Sequence, residues 1–113
     1  MDLLKTLLTT IVINSILVML PVSAETYQAG EYTITLEMDA QQGRTYRGCD
    51  HRRNCLYLTH GTAWREQGYR GFSWENKSYT YSISWQEGTT QPMYLKVFNP
   101  QGRLILNRVM SEQ

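Results

Sequence analysis

Between Ser78 and Trp85 every second side chain is large and apolar. Tyr79, Tyr81, Ile83 and Trp85 fall on one side of an extended chain, and Ser78, Thr80, Ser82 and Ser84 on the other. Strict alternation over this length matches the pleat of a β-strand and no helical period. Upstream, Phe72-Ser73-Trp74 keeps the same beat. A two-residue turn at Asn76-Lys77, where Asn tolerates positive φ, folds the two runs into a hairpin. In that register Trp74 faces Tyr79, Phe72 faces Tyr81, Ser73 faces Thr80 and Gly71 faces Ser82. Apolar then meets apolar and small polar meets small polar. Aromatic cross-strand pairs of this kind contribute about 0.2–1 kcal/mol each beyond an alanine pair.

Other segments repeat the pattern. In Tyr32–Met38, the side chains of Tyr32, Ile34, Leu36 and Met38 oppose Thr33, Thr35 and Glu37. Cys55–His60 reads as a further strand ended by Gly61-Thr62, with Trp64–Gly68 as a turn or short irregular piece. Met93–Phe98 and Arg103–Met110 flank Asn99-Pro100-Gln101-Gly102, which has the type I turn residues in their places and a Gly suited to a closing bulge. There Val97 opposes Ile105 and Phe98 opposes Leu104, so either face can be core. Ser111–Gln113 is a frayed tail. The expected fold is all-β: a small antiparallel meander barrel or sandwich of five to six strands.

The first 24 residues stand apart. Lys5 and the amino terminus supply positive charge. An apolar run from Leu7 to Leu20 follows, and Val22 and Ala24 place small residues where a signal peptidase reads them. The run is short for a membrane span and is diluted by Thr9, Thr10, Asn14 and Ser15. This predicts a signal peptide at 1–24, a single β domain at 25–113, and export to a periplasmic or extracellular space with no span left after cleavage.

Export changes the reading of Cys49 and Cys55, the only two cysteines. In an oxidising compartment they pair as a disulfide. The short loop they close gives about 2–2.5 kcal/mol in the chain-entropy model, useful to a domain this small. The rival is a metal site from Cys49, His51, Cys55 and His60, whose spacing does not follow the usual zinc arrangement. We therefore expect no metal and no cofactor. Catalysis finds little support either. No Ser sits in a Gly-x-Ser-x-Gly elbow, no glycine loop cradles phosphate, and Glu37, Glu66, Glu75 and Glu87 are scattered. The chain is not expected to be an enzyme.

Charge is informative locally. The whole chain carries +1, which gives no pull toward nucleic acid. From Arg44 to Arg70, however, six arginines face only Asp50 and Glu66, with Tyr46, Tyr57, Trp64 and Tyr69 interleaved. Guanidinium groups fork onto carboxylate, sulfate or phosphate and stack on rings. The candidate binding residues are Arg47, His51, Arg52, Arg53, Trp64, Arg65, Tyr69 and Arg70. Trp64 either plugs one end of the barrel or stands out as a stacking platform; Trp74 and Trp85 belong to the core. The expected function is a non-enzymatic exported module that binds an anionic polysaccharide or a protein partner. The alternative is an inhibitor of a secreted hydrolase. That reading rests on build alone: the size, leader and single disulfide resemble those of the small periplasmic barrels that inhibit lysozyme, although no motif carries the likeness.

Mass spectrometry of the exported protein is expected to find Glu25 at its amino terminus; an intact Met1 would refute cleavage.

Overall fold

A computed structural model describes residues 24–113 of the chain. The expected signal peptide, apart from Ala24, lies outside the described residues. Nine strands follow one another: β1 (Ala24–Ala29), β2 (Tyr32–Asp39), β3 (Gly43–Cys49), β4 (Cys55–Leu58), β5 (Thr62–Glu66), β6 (Tyr69–Asn76), β7 (Tyr79–Gln86), β8 (Met93–Phe98) and β9 (Leu104–Glu112). They form one antiparallel sheet in the order β4-β3-β2-β1-β9-β8-β7-β6-β5. Among the described residues there is no helix, and so none long and apolar enough to cross a membrane.

The strand order dictates the shape. β4 and β5 are the two edges of the sheet, yet only Thr59, His60 and Gly61 separate them in the chain. The sheet must curl until its edges approach, and it becomes a half-barrel. Hydrogen bonds fix the approach. The His60 N–H donates to the Gln42 carbonyl at 2.8 Å, and the Gly61 N–H donates to the Arg44 carbonyl at 2.9 Å. The Trp74 indole N–H, from β6, donates to the same Arg44 carbonyl at 2.9 Å. Gly61 is required by this contact, because a Cβ there would come within 2.6 Å of the Trp74 ring.

The concave face holds the core. Tyr27, Ala29, Ile34, Tyr46, Leu58, Trp74, Ile83, Leu95, Val97 and Met110 are buried, drawn from eight of the nine strands. Each fully buried aliphatic side chain, such as Ile34, Ile83 or Leu95, contributes about 1.5–3 kcal/mol. Tyr46 lies at the aromatic centre, 5.5 Å from the Trp74 ring and 5.6 Å from Tyr81, while Phe72 packs 5.7 Å from Trp85. The Arg44 guanidinium, exposed at the edge of the concave face, sits 3.9 Å above the Phe72 ring in a cation–π contact. Trp74 is thus core, and Trp85 is partly buried against it.

The all-β class and the Cys49–Cys55 disulfide are present, but the strands number nine, not five to six. β1 and β3 lacked a clean alternation, and β5 occupies the segment expected to be irregular. The central hairpin also turns one residue later than expected. Lys77 and Ser78, both at positive φ (52° and 71°), form the turn. Trp74 therefore faces Tyr81 and Phe72 faces Ile83, while Ser73 faces Ser82 and Gly71 faces Ser84. The pairing moves by two residues in all, so every side chain keeps its predicted face. At the β8–β9 hairpin the Asn99 carbonyl accepts from the Gly102 N–H at 2.9 Å, as a type I turn requires. Phe98 faces Leu104 as expected, but a bulge at Ile105 sets Leu106 opposite Val97.

Trp74→Ala is expected to cost about 3–5 kcal/mol through the cavity it leaves, and Gly61→Ala to destabilise by forcing the indole from its place. A urea unfolding series checks both: the midpoint falls while the slope is preserved.

Candidate functional site

In a meander, successive connections alternate between the two ends of the sheet. One end carries Gly30-Glu31, Asp50–Asn54, Lys77-Ser78 and Asn99–Arg103; the other carries Ala40–Gln42, Gln67-Gly68 and Glu87–Pro92. The arginine-rich stretch is divided by this geometry. His51, Arg52 and Arg53 lie at the first end, and Arg65, Tyr69 and Arg70 flank the turn at the second. Arg47 lies between them on β3, opposite Tyr57, with its guanidinium 4.0 Å from the Cys55 sulfur. Two separate clusters replace one continuous surface.

The first cluster is a fixed loop. Cys49 and Cys55 are directly opposed on β3 and β4, and their disulfide closes the base. The Asp50 carboxylate accepts the Arg52 N–H and the Asn54 N–H, both at 2.9 Å, and the Asn54 side-chain amide at 3.1 Å. Backbone bonds from Asp50 to Asn54 (3.0 Å) and from Arg53 to Asp50 (3.1 Å) complete the turn. Arg53 takes a positive φ of 66°. The donors, first of all the Asn54 N–H, hold the Asp50 carboxyl below the usual carboxylate range. His51, Arg52 and Arg53 project, exposed, from a backbone that has little freedom.

The second cluster borders a groove of about 560 Å³ on the convex face, crossing β5 to β8. Trp64 lies across Gly71, its partner on β6; a Cβ on Gly71 would clash first with the Ile83 carbonyl oxygen and then, at 2.7 Å, with the indole. Only glycine fits between the neighbouring backbone and the ring. Ser73, Thr80, Ser82 and Ser84 line the groove beside it, with Tyr69, Lys96 and Phe98 at its sides and Glu66 and Gln67 on the rim. Ser82 and Ser84 are buried although they point away from the core. Arg65 pairs with Glu87 at 2.9 Å, tying the β5–β6 hairpin to the β7–β8 loop. Trp64 is therefore a half-buried platform on the outer face and plugs neither end of the barrel. Ser73, Thr80, Ser82, Ser84, Lys96 and Phe98 were not among the expected site residues. The polar half of the β7 alternation was their signal, and it reads as an ordinary solvent face until Trp64 is seen to cover it.

The Cys49 and Cys55 sulfurs are bonded to one another, which removes them as thiolate nucleophiles or metal ligands. Among the described residues, no three His, Cys, Asp or Glu side chains gather as a metal-binding group. His60 contacts the hydroxyl of its neighbour Thr59 at 3.0 Å, on the surface. The groove and the loop offer shape, stacking and charge, the elements of recognition.

Asp50→Ala is expected to speed hydrogen exchange at the Arg52 and Asn54 amides. Acid acts in the same direction. The folded pKa lies below the ordinary value of 3.8, so the stabilisation is complete above that value and fades as the pH falls through the lower one. Amide exchange that ignores both changes would contradict this account of the loop. Comparison with known protein families, curated proteins and solved structures finds no match to this chain.

Proposed function

We propose that the chain is a non-enzymatic, exported binding module that takes an acidic polysaccharide along the convex groove. The observation carrying this reading is Trp64 laid across Gly71 beside the hydroxyls of Ser73, Thr80, Ser82 and Ser84. An indole face packs on the C–H side of a sugar ring, and closely spaced hydroxyls match the ring's own donors and acceptors. Tyr69 extends the aromatic surface. Lys96, which lines the groove opposite Ser82, offers an ammonium to carboxylate or sulfate substituents. A disulfide in a domain this small supports an oxidising compartment.

One observation favours a second reading, inhibition of a secreted hydrolase. The Asp50–Asn54 loop is pre-organised by its disulfide and by the Asp50 hydrogen bonds, so little entropy is lost when it inserts into a cleft. Its Arg52 and Arg53 suit an acidic active site.

Retention of the domain without its leader on immobilised uronic or sulfated polymers separates the two. On the groove reading, binding weakens with salt, and Trp64→Ala reduces it about two- to twelvefold, the loss of roughly 0.5–1.5 kcal/mol of stacking. Arg52→Ala with Arg53→Ala leaves it unchanged. Binding that is indifferent to salt and to Trp64→Ala would sink the groove reading. Stoichiometric co-purification with one enzyme, lost in the double arginine variant, would establish the second.

A further inference from the structure

We propose a second binding site, for a small acyl compound with an oxygen acceptor at its head, inside the half-barrel at the end that carries the Asp50–Asn54 loop. The wall is incomplete there. β1 pairs with β9 only through Tyr27 with Glu112 and Gln28 with Ser111, so the first residues of β9 run past the β1–β2 turn without a partner on that side. A cavity of about 470 Å³ opens beside them, within the size range of small-molecule sites. Leu56, Leu95, Val97, Ile105 and Leu106 supply apolar walls, and Tyr32, Tyr46 and Tyr81 bring in phenol groups.

Tyr46 gives the site its polarity. Its side chain is 4% exposed, at the centre of the core, yet its hydroxyl has no hydrogen-bond partner among the described residues. It is not sealed in either, since among the described residues no buried side-chain nitrogen or oxygen lacks a partner. The hydroxyl therefore meets the cavity. Gly48 maintains this arrangement: a Cβ there would lie 2.5 Å from the Tyr46 oxygen. Burial raises the pKa of Tyr46 and of Tyr81, so both phenols keep their protons at neutral pH and act as donors. A ligand that satisfies them offers an accepting oxygen and lays an aliphatic body on the leucine, isoleucine and valine walls. A carbonyl or carboxylate at the end of a medium-length acyl chain has both. Asp50 and Asn54 of the disulfide loop also line the cavity, and the Asn54 amide adds a donor to the phenols.

Decanoate and methyl decanoate are suitable probes, titrated into the leaderless domain and followed by methyl and amide chemical shifts. Binding is expected to move the signals of Leu56, Leu95 and Val97, and tighter binding of decanoate would identify a carboxylate head. Tyr46→Phe, which removes only the hydroxyl, is expected to weaken binding about three- to tenfold, as the loss of one neutral hydrogen bond implies. Leu106→Trp, which fills the cavity from its half-buried rim, abolishes binding; Trp64→Ala, in the separate groove, leaves it intact. The proposal is overturned if neither probe binds below millimolar concentration. Shifts confined to the Trp64 groove, or affinity unaltered by both Tyr46→Phe and Leu106→Trp, overturn it equally.

Discussion

The Arg44 carbonyl accepts two hydrogen bonds, from the Gly61 backbone and from the Trp74 indole, and the hollow of the molecule depends on them. They join β3, the β4–β5 crossover and β6 at one point, where the two edges of the sheet come together. A carbonyl has two lone pairs, and both are used here in a partly buried setting, where a lost partner costs more than it does in water. Without this joint the sheet would expose its aromatic face and two unpaired edges, a form prone to association. With it, Tyr46, Trp74 and Tyr81 gather around one centre and the concave side acquires an interior.

Closing the sheet also separates the proposed binding surfaces. Connections alternate between ends, so neighbours in sequence are sent far apart. Arg53 and Arg65 lie only one crossover apart in the chain and finish at opposite ends of the sheet. The loop at one end is rigid because its donors are spent on Asp50 and its base is a disulfide. At the other end, rigidity comes from Trp64 resting on Gly71 and from the Arg65–Glu87 pair. The proposed groove and the proposed cavity lie on opposite faces of β7. Its hydroxyl-bearing side forms the one, and Tyr81 on its aromatic side lines the other.

How much of this was legible in the sequence follows from which side chains face inward. β7 was plain, because its inward residues are all large and apolar. β3 was hidden because its inward positions are Arg44, Tyr46 and Gly48. Arg44 stacks on Phe72 while staying exposed, and Gly48 leaves space for a hydroxyl; neither carries a hydrophobic signal. β5 was hidden for the opposite reason, since its largest apolar residue, Trp64, faces outward. The central turn was misplaced because Asn76 is the residue that best tolerates positive φ, whereas Lys77 and Ser78 adopt it. The cysteine pairing was legible from spacing and chemistry. The division of the arginine stretch was not, because it depends on counting the strands from the one that holds Arg47 to the one that holds Arg70, and two of those, β3 and β5, were unseen.

The Trp74 indole N–H tests the account at its root. In the leaderless domain its hydrogen exchange should be slow, close to that of the core amides, with nuclear Overhauser contacts to Gly61 and Arg44. Exchange at the rate of a solvent-exposed indole, or contacts to neither residue, would mean that the two edges of the sheet do not meet as described.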